Sequence, residues 1–159
     1  LIARKLGDFE RVLCASPEYL ARRGVPRSPD DLAQHSCITL TLPGRAQWPF
    51  DTASGRRVVN VVPSLSANNN DCVLQLALMG HGIVHLNDFI VGEDIRRGRL
   101  VPILVDCHCA DRVPMHALYL RDRHRLPRVA AMLDFLVESF RDAHRRTAAA
   151  KATRRMGER

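Results

Sequence analysis

No apolar run in the 159 residues approaches the roughly 18 that a membrane-spanning helix needs. The opening residues, Leu1-Ile-Ala-Arg-Lys-Leu-Gly7, lack the charged, apolar and small-residue succession of a secretory leader. No initiator methionine precedes them, and the expectation is a piece of a longer chain. The five cysteines are an odd number without a regular framework, which argues against a disulfide-stapled secreted domain and fits a reducing cytoplasm. Cys14, Cys37 and Cys72 sit among apolar neighbours and are expected to pack as small hydrophobes. Internal repeats are absent, and so is a G-x-S-x-G nucleophile turn. Ser16 stands at a strand–helix turn, but capping already explains a serine there. The acidic pairs Asp30-Asp31 and Glu93-Asp94 fall at helix starts or on exposed faces, where acidic residues are ordinary.

Two further patterns fail on order or number. Gly80-His-Gly82 follows a helix and precedes a strand, the wrong order for a pyrophosphate loop. Cys107-His-Cys109, near Asp106, Asp111 and His116, offers metal-capable groups, but structural zinc needs four ligands and no second Cys pair exists. A polar surface loop is the expectation there, and no cofactor or metal is assigned.

What the chain does carry is a formal charge of +7, 46% hydrophobic and 26% charged residues, the balance of a globular protein. The charge is concentrated: seven basic and two acidic residues lie from Arg141 onward, leaving only +2 for the preceding 140. A basic tail without aromatics reads as solvated or disordered from about 146 to 159. The nearly neutral body does not read as a nucleic-acid binder.

The organising stretch is Ser64 to Asn87, read as strand, polar turn, helix, glycine stop and strand. Asn69, Asn70 and Asp71 suit a helix start. Val73, Leu76, Ala77 and Met79 (or Leu78) supply a buried face, and Gly80 suits the left-handed position after the helix. Strand, helix and strand in so few residues imply a parallel crossover. Ligands of such units sit beyond the strand ends, where helix N-termini expose N–H groups. That places Ser66, Ala67, Asn68 and Asn69 at a binding edge, with His81 and His85 flanking it.

Upstream, Asp8 to Ala15 reads as a strand and Ser16 to Gly24 as a short helix capped by Ser16, with Pro17 at its first position. Ser28, Pro29 and Asp31 resemble a capping box. Ser36 to Leu42 is a strand. The segments around Trp48-Pro-Phe50 and from Arg56 to Val62 read as an antiparallel hairpin at a sheet edge, where Pro49 is tolerated. Downstream come a helix from Phe89 with Asp88 as cap, a strand from Arg99 to Val105, a loop from Asp106 to Arg112 and a strand from Val113 to Leu120. Pro127 opens a helix to about Arg141, on which Val129, Met132, Leu133, Leu136, Val137 and Phe140 form one stripe.

In order and spacing, these residues resemble the effector-binding domain of LysR-type transcriptional regulators. The matching stretches are Ala3 to Gly24, Pro29 to Ile38, Trp48-Pro-Phe50, the Asn68-Asn69 turn with its helix, Gly80-His-Gly-Ile-Val-His-Leu86, Gly98-Arg-Leu-Val101, Ala117-Leu-Tyr119 and Asp134-Phe-Leu136. The resemblance covers about residues 1 to 143. It implies an α/β, periplasmic-binding-protein-like (type 2) fold of two lobes, one nearly complete (about 12–116) and the other present in part (about 117–145). Phe9 to Ala15 and His116 to Leu120 would be the crossing strands. It further implies a small-molecule effector between the lobes, a homo-oligomer (dimer or tetramer) in the intact protein, and DNA contact only through an N-terminal winged helix-turn-helix absent from this chain. No membrane partner and no enzymatic activity are implied. The ligand contacts expected are Ser66, Ala67, Asn68 and Asn69, with Ser16 and Tyr119 near the hinges, and a helix N-terminus favours an anionic ligand.

Asn87 stands where the family usually has proline, which would add a polar group beside the site. With part of one lobe missing, the strand at Val113–Leu120 and the stripe of the last helix are expected to expose apolar surface and promote self-association. Two alternatives come from other classes. One is a transport solute-binding protein of the same fold. The other is a thiol- or metal-dependent hydrolase using Cys107 to His116.

Overall fold

A computed structural model describes residues 1–109, 112–120 and 126–157. The chain divides into two compact units, one made of Leu1–Glu10 with Arg112–Arg159, the other of Arg11–Asp111.

The larger unit is built on a five-stranded sheet. Its elements in chain order are β2 (Arg11–Ala15), α1 (Pro17–Arg23), a 3-10 turn (Pro29–Gln34), β3 (Cys37–Leu40), β4 (Gln47–Thr52), β5 (Gly55–Asn60), β6 (Pro63–Ala67), α2 (Asn70–Leu78), β7 (Ile83–Asn87), α3 (Asp88–Arg96) and β8 (Val101–Pro102). The strand order is β6-β3-β7-β2-β8. Strands β6 and β7 both lie parallel to β3, whereas β2 runs antiparallel to β7 and to β8. The unit from β6 through α2 to β7 is thus a parallel crossover that steps over β3.

Both faces of β2, β3 and β7 are covered, so these strands are apolar along most of their length, whereas the edge strand β6 is exposed. Cys14, Ile38, Val84 and Leu86 pack with Val73 and Ala77 of α2 and Val91 of α3. Leu13, Cys37 and Ile83 face the other way, into Tyr19, Trp48 and Phe50. Trp48 and Phe50 are fully buried, and each such side chain contributes roughly 1.5–3 kcal/mol of transfer free energy. They explain why the β4–β5 hairpin forms a two-stranded sheet of its own instead of extending an edge of the main one, as the sequence suggested. Its inward residues need the sheet's face. The hairpin also holds residues 107–109: Asp51 N donates to the Cys107 carbonyl at 2.8 Å, Cys109 N donates to the Pro49 carbonyl at 3.2 Å, and Phe50 bridges His108.

Local signals in the sequence translate directly. Ser16 Oγ accepts from Tyr19 N at 3.2 Å and caps α1, which ends at Gly24. The Asp31 carboxylate accepts from Arg27 N and Ser28 N, and the segment it caps is a 3-10 turn. Gly80 takes a left-handed φ of 76° after α2. A Cβ on Gly82 would lie 2.4 Å from the Ser36 carbonyl oxygen, so only glycine admits this approach of β7 to β3.

Other expectations are corrected. Met79 is 64% exposed, because it caps the C-terminus of α2 off the stripe made by Val73 and Ala77. Cys72, one position before Val73, is likewise rotated to solvent. The N-cap of α3 is Asn87, and Asp88 is its buried first residue. Cys109 is buried against the hairpin, so the segment after Asp106 is no simple surface loop.

In the smaller unit, β1 (Ile2–Phe9) pairs antiparallel with β9 (Val113–Tyr119), and α4 (Pro127–Gly157) packs on β1. Leu133 and Val137 are buried, and the rings of Phe9 and Phe140 meet edge-to-face at 5.7 Å. Leu118, Met132 and Phe135 remain more than half exposed. Strand β9 pairs with β1 along its length from Val113, so the chain changes units at Glu10–Arg11 and again before Arg112, not near His116. Helix α4 continues past Arg141 to Gly157, through the segment expected to be a disordered tail. Its Ala148–Ala150 run and its Arg and Lys residues are strong helix formers. No helix among the described residues is long and apolar enough to cross a membrane.

Candidate functional site

The parallel strands β3, β6 and β7 end at Leu40, Ala67 and Asn87, on one edge of the main sheet. Asn69 is the N-cap of α2 there: its Oδ1 accepts from Cys72 N at 2.8 Å, and its Nδ2 donates to Asn68 Oδ1 at 3.2 Å. The first N–H groups of α2 have no partner within the helix and give this edge a positive end. One strand back, Ser66 Oγ and Thr39 Oγ1 share a hydrogen bond of 3.2 Å, with Thr39 buried and Ser66 open. Ser66, Ala67, Asn68 and Asn69 are therefore contiguous, beside the helix start.

Of the two remaining expected contacts, Ser16 belongs to the same unit and Tyr119 to the smaller one. Because β2 is antiparallel to β7, its C-terminal end lies at the opposite edge of the sheet from Asn69. Ser16 follows that end, is buried, and spends its hydroxyl on capping α1 beside Gly80. Tyr119 belongs to the smaller unit, opposite Ile2 on β1.

The same reversal of β2 brings Arg11 to the edge, paired with Asn87. Alternation along the strands puts Arg11, Thr39, Ser66, His85 and Asn87 on the face beneath the β4–β5 hairpin. Here His85 Nε2 lies 2.9 Å from His108 Nε2, with the rings near perpendicular and their centroids 4.9 Å apart. The Trp48 ring packs on His85 at 5.6 Å, and its indole N–H donates to the Arg45 carbonyl at 3.0 Å. Burial, then the charges of His108, Arg11 and Arg45, push the His85 pKa down to about 2, so this imidazole is neutral at physiological pH. Burial and the neighbouring Arg45 likewise lower that of Arg11. Nδ1 of His85 and Nε of Arg11 are buried without a hydrogen-bond partner. Among the described residues, no carboxylate pairs with Arg11 or Arg45.

The edge thus presents cations, hydroxyls, amides and a helix start, without a nucleophile paired to a base. No group of three or more His, Cys, Asp or Glu among the described residues is placed to hold a metal ion. The sequence flagged His85 as flanking the edge, but Arg11, Arg45 and His108 went unnoticed as members of one group. A histidine inside the apolar run Ile83–Leu86 was the available signal.

The family model of the LysR substrate binding domain matches residues 1–141. The HTH-type transcriptional regulator CrgA of Neisseria meningitidis serogroup B is 39% identical over 139 residues, covering 87% of this chain and 46% of that protein. The solved regulatory domain of CrgA from N. meningitidis has a TM-score of 0.83 at 38% identity, over 87% of this chain and 68% of that one. The full-length Vibrio cholerae virulence activator AphB has a TM-score of 0.74 at 27% identity, over 88% of this chain and 48% of that one. The chain spans about half the length of the curated relatives it matches. Its fold class is the α/β, periplasmic-binding-protein-like type 2 architecture of these regulatory domains.

Proposed function

Because the chain belongs to the LysR substrate-binding domain family, we propose that it is the effector-sensing part of a bacterial LysR-type transcriptional regulator. It takes a small anionic molecule at the carboxyl edge of the five-stranded sheet, where Ser66–Asn69 meet the start of α2. The observation that carries this reading is the family match over residues 1–141. In the whole protein, DNA is contacted by a helix-turn-helix of the kind named in the relatives. The protein works as a homo-oligomer in the cytoplasm, and the ligand acts by binding two arrangements of the domain with different affinity. The relatives are transcriptional regulators, which favours this reading over a transport solute-binding protein of the same fold and over an enzyme.

A domain exchange tests it. Residues 1–141 replace the matching part of Neisseria CrgA, and operator binding by the chimera is measured against a panel of small organic anions. The expected result is retained DNA binding whose strength changes with one of these anions, a response lost in the Asn69→Ala chimera. DNA binding that no anion alters would sink the reading.

A further inference from the structure

We infer that Arg11 and Arg45, beside the contact between His85 and His108, form a site for one oxyanion, a carboxylate or a phosphate. This deepens the effector-domain reading and rests on it.

The inference begins with the sheet. Arg11 pairs with Asn87 and Leu13 with His85, so Arg11 and His85 are diagonal neighbours on one face, with Cα atoms about 7–8 Å apart. Arg45 is held over the same ground by the bond from the Trp48 indole, whose ring rests on His85. Arg11 and Arg45 are both half-buried, and the Arg45 charge acts on Arg11 and on His85, so two cationic side chains share this ground. Neither has a carboxylate partner among the described residues. Two like charges so placed are unfavourable unless an anion neutralises them, and guanidinium presents planar paired donors suited to an oxyanion. Among the described residues, Arg11 Nε and His85 Nδ1 are buried nitrogens at this edge without a hydrogen-bond partner. An oxyanion accepts from the first. It also accepts from the second when His108 Nε2–H donates to His85 Nε2, which leaves the His85 proton on Nδ1. A ring kept neutral adds a donor without adding a third charge.

The chain's single tryptophan, Trp48, is a built-in reporter. Inorganic phosphate and malonate are titrated separately into the full 159-residue chain at constant ionic strength set with NaCl. Trp48 fluorescence and the Arg Nε–Hε resonances are followed. Saturable binding is expected, weakened about tenfold or more in Arg11→Gln and in Arg45→Gln, and less in Arg11→Lys, which keeps charge without the fork. The tighter of the two anions identifies the headgroup class. Arg45→Gln retains the backbone carbonyl that Trp48 uses, so the test survives a poorly folding Arg11 variant. A response no larger than that to NaCl overturns the inference, as does equal affinity in the wild type and Arg45→Gln. If the CrgA chimera still answers to an organic anion in either case, only this site falls. If anions bind here but leave the chimera's DNA binding unchanged, the effector reading fails instead.

Discussion

The imidazoles of His85 and His108 meet Nε2 to Nε2 at 2.9 Å, joining strand β7 to the segment that the β4–β5 hairpin clasps. One ring donates and the other accepts, so the contact requires at least one unprotonated Nε2. Burial of His85 sets a limit on the pH at which it persists.

His85 has its pKa lowered from 6.5 to about 2 by folding. Below pH 6.5 the unfolded chain takes up a proton that the folded chain refuses. Stability is therefore fully present above that pH and declines as pH falls, by at most about 1.4 kcal/mol per pH unit from this group. His35, lowered by partial burial and Arg23, acts in the same direction. Urea unfolding at pH 7.5 and 5.5 is expected to give a lower midpoint at 5.5, with the difference reduced in His85→Leu. An undiminished difference in that variant would place the titration elsewhere.

The two helix caps separate stability from binding. Ser16→Ala and Asn69→Ala each remove a side-chain acceptor from a helix start and should each cost about 1 kcal/mol in denaturant unfolding. Only Asn69→Ala should also weaken anion binding, because Ser16 lies at the opposite edge of the sheet. Equal loss of binding in both variants would contradict the strand directions described above.

Gly82→Ala puts a methyl group 2.4 Å from the Ser36 carbonyl oxygen and 3.0 Å from its carbon. Ile83 N donates to that same oxygen at 2.8 Å, so the backbone cannot retreat without losing a ladder bond. A loss of about 1–3 kcal/mol or more is expected in thermal or urea unfolding. An unchanged midpoint would mean that β3 and β7 approach less closely.

Thiol labelling should rank the cysteines. Burial pushes the Cys14 and Cys37 thiols up to about 12, and Cys107 is also raised, by burial and the Asp106 charge. Cys72 is exposed. Mass spectrometry after brief iodoacetamide treatment of the native chain is expected to find Cys72 modified first. Cys14 and Cys37 should react only once the chain is unfolded. Early labelling of Cys14 would show that the main sheet opens locally.

What the sequence made legible was short in range. Ser16-Pro17 with Gly24, the Asn69 cap and the Gly80 stop each act within a few residues, and each forms where its pattern said. Pairing between distant strands was not legible. Nothing near Val12 or Cys14 states that β2 runs against β7, and on that direction depends whether Ser16 or Arg11 joins Asn69. Exposure at helix ends was misread for a related reason: Met79 and Cys72 are apolar enough for a core, and a shift of one position turns either to water. His108 sat in a cluster that suggested metal ligands, and only the folded hairpin sets it against His85.

The strand order also fixes when this sheet can exist. Arg11 on β2 must wait for Asn87 on β7, roughly 76 residues later in the chain. At about 5–20 residues per second, a ribosome needs several seconds to bridge that interval. Throughout it Leu13 and Cys14, destined for opposite cores, have no sheet to enter and lie open to chaperones. The loop that closes is long, so the pairing is slow even after synthesis. Assembly of the sheet edge formed by β3, β6 and β7 is thus a late event in the life of the nascent chain, completed only when β7 emerges.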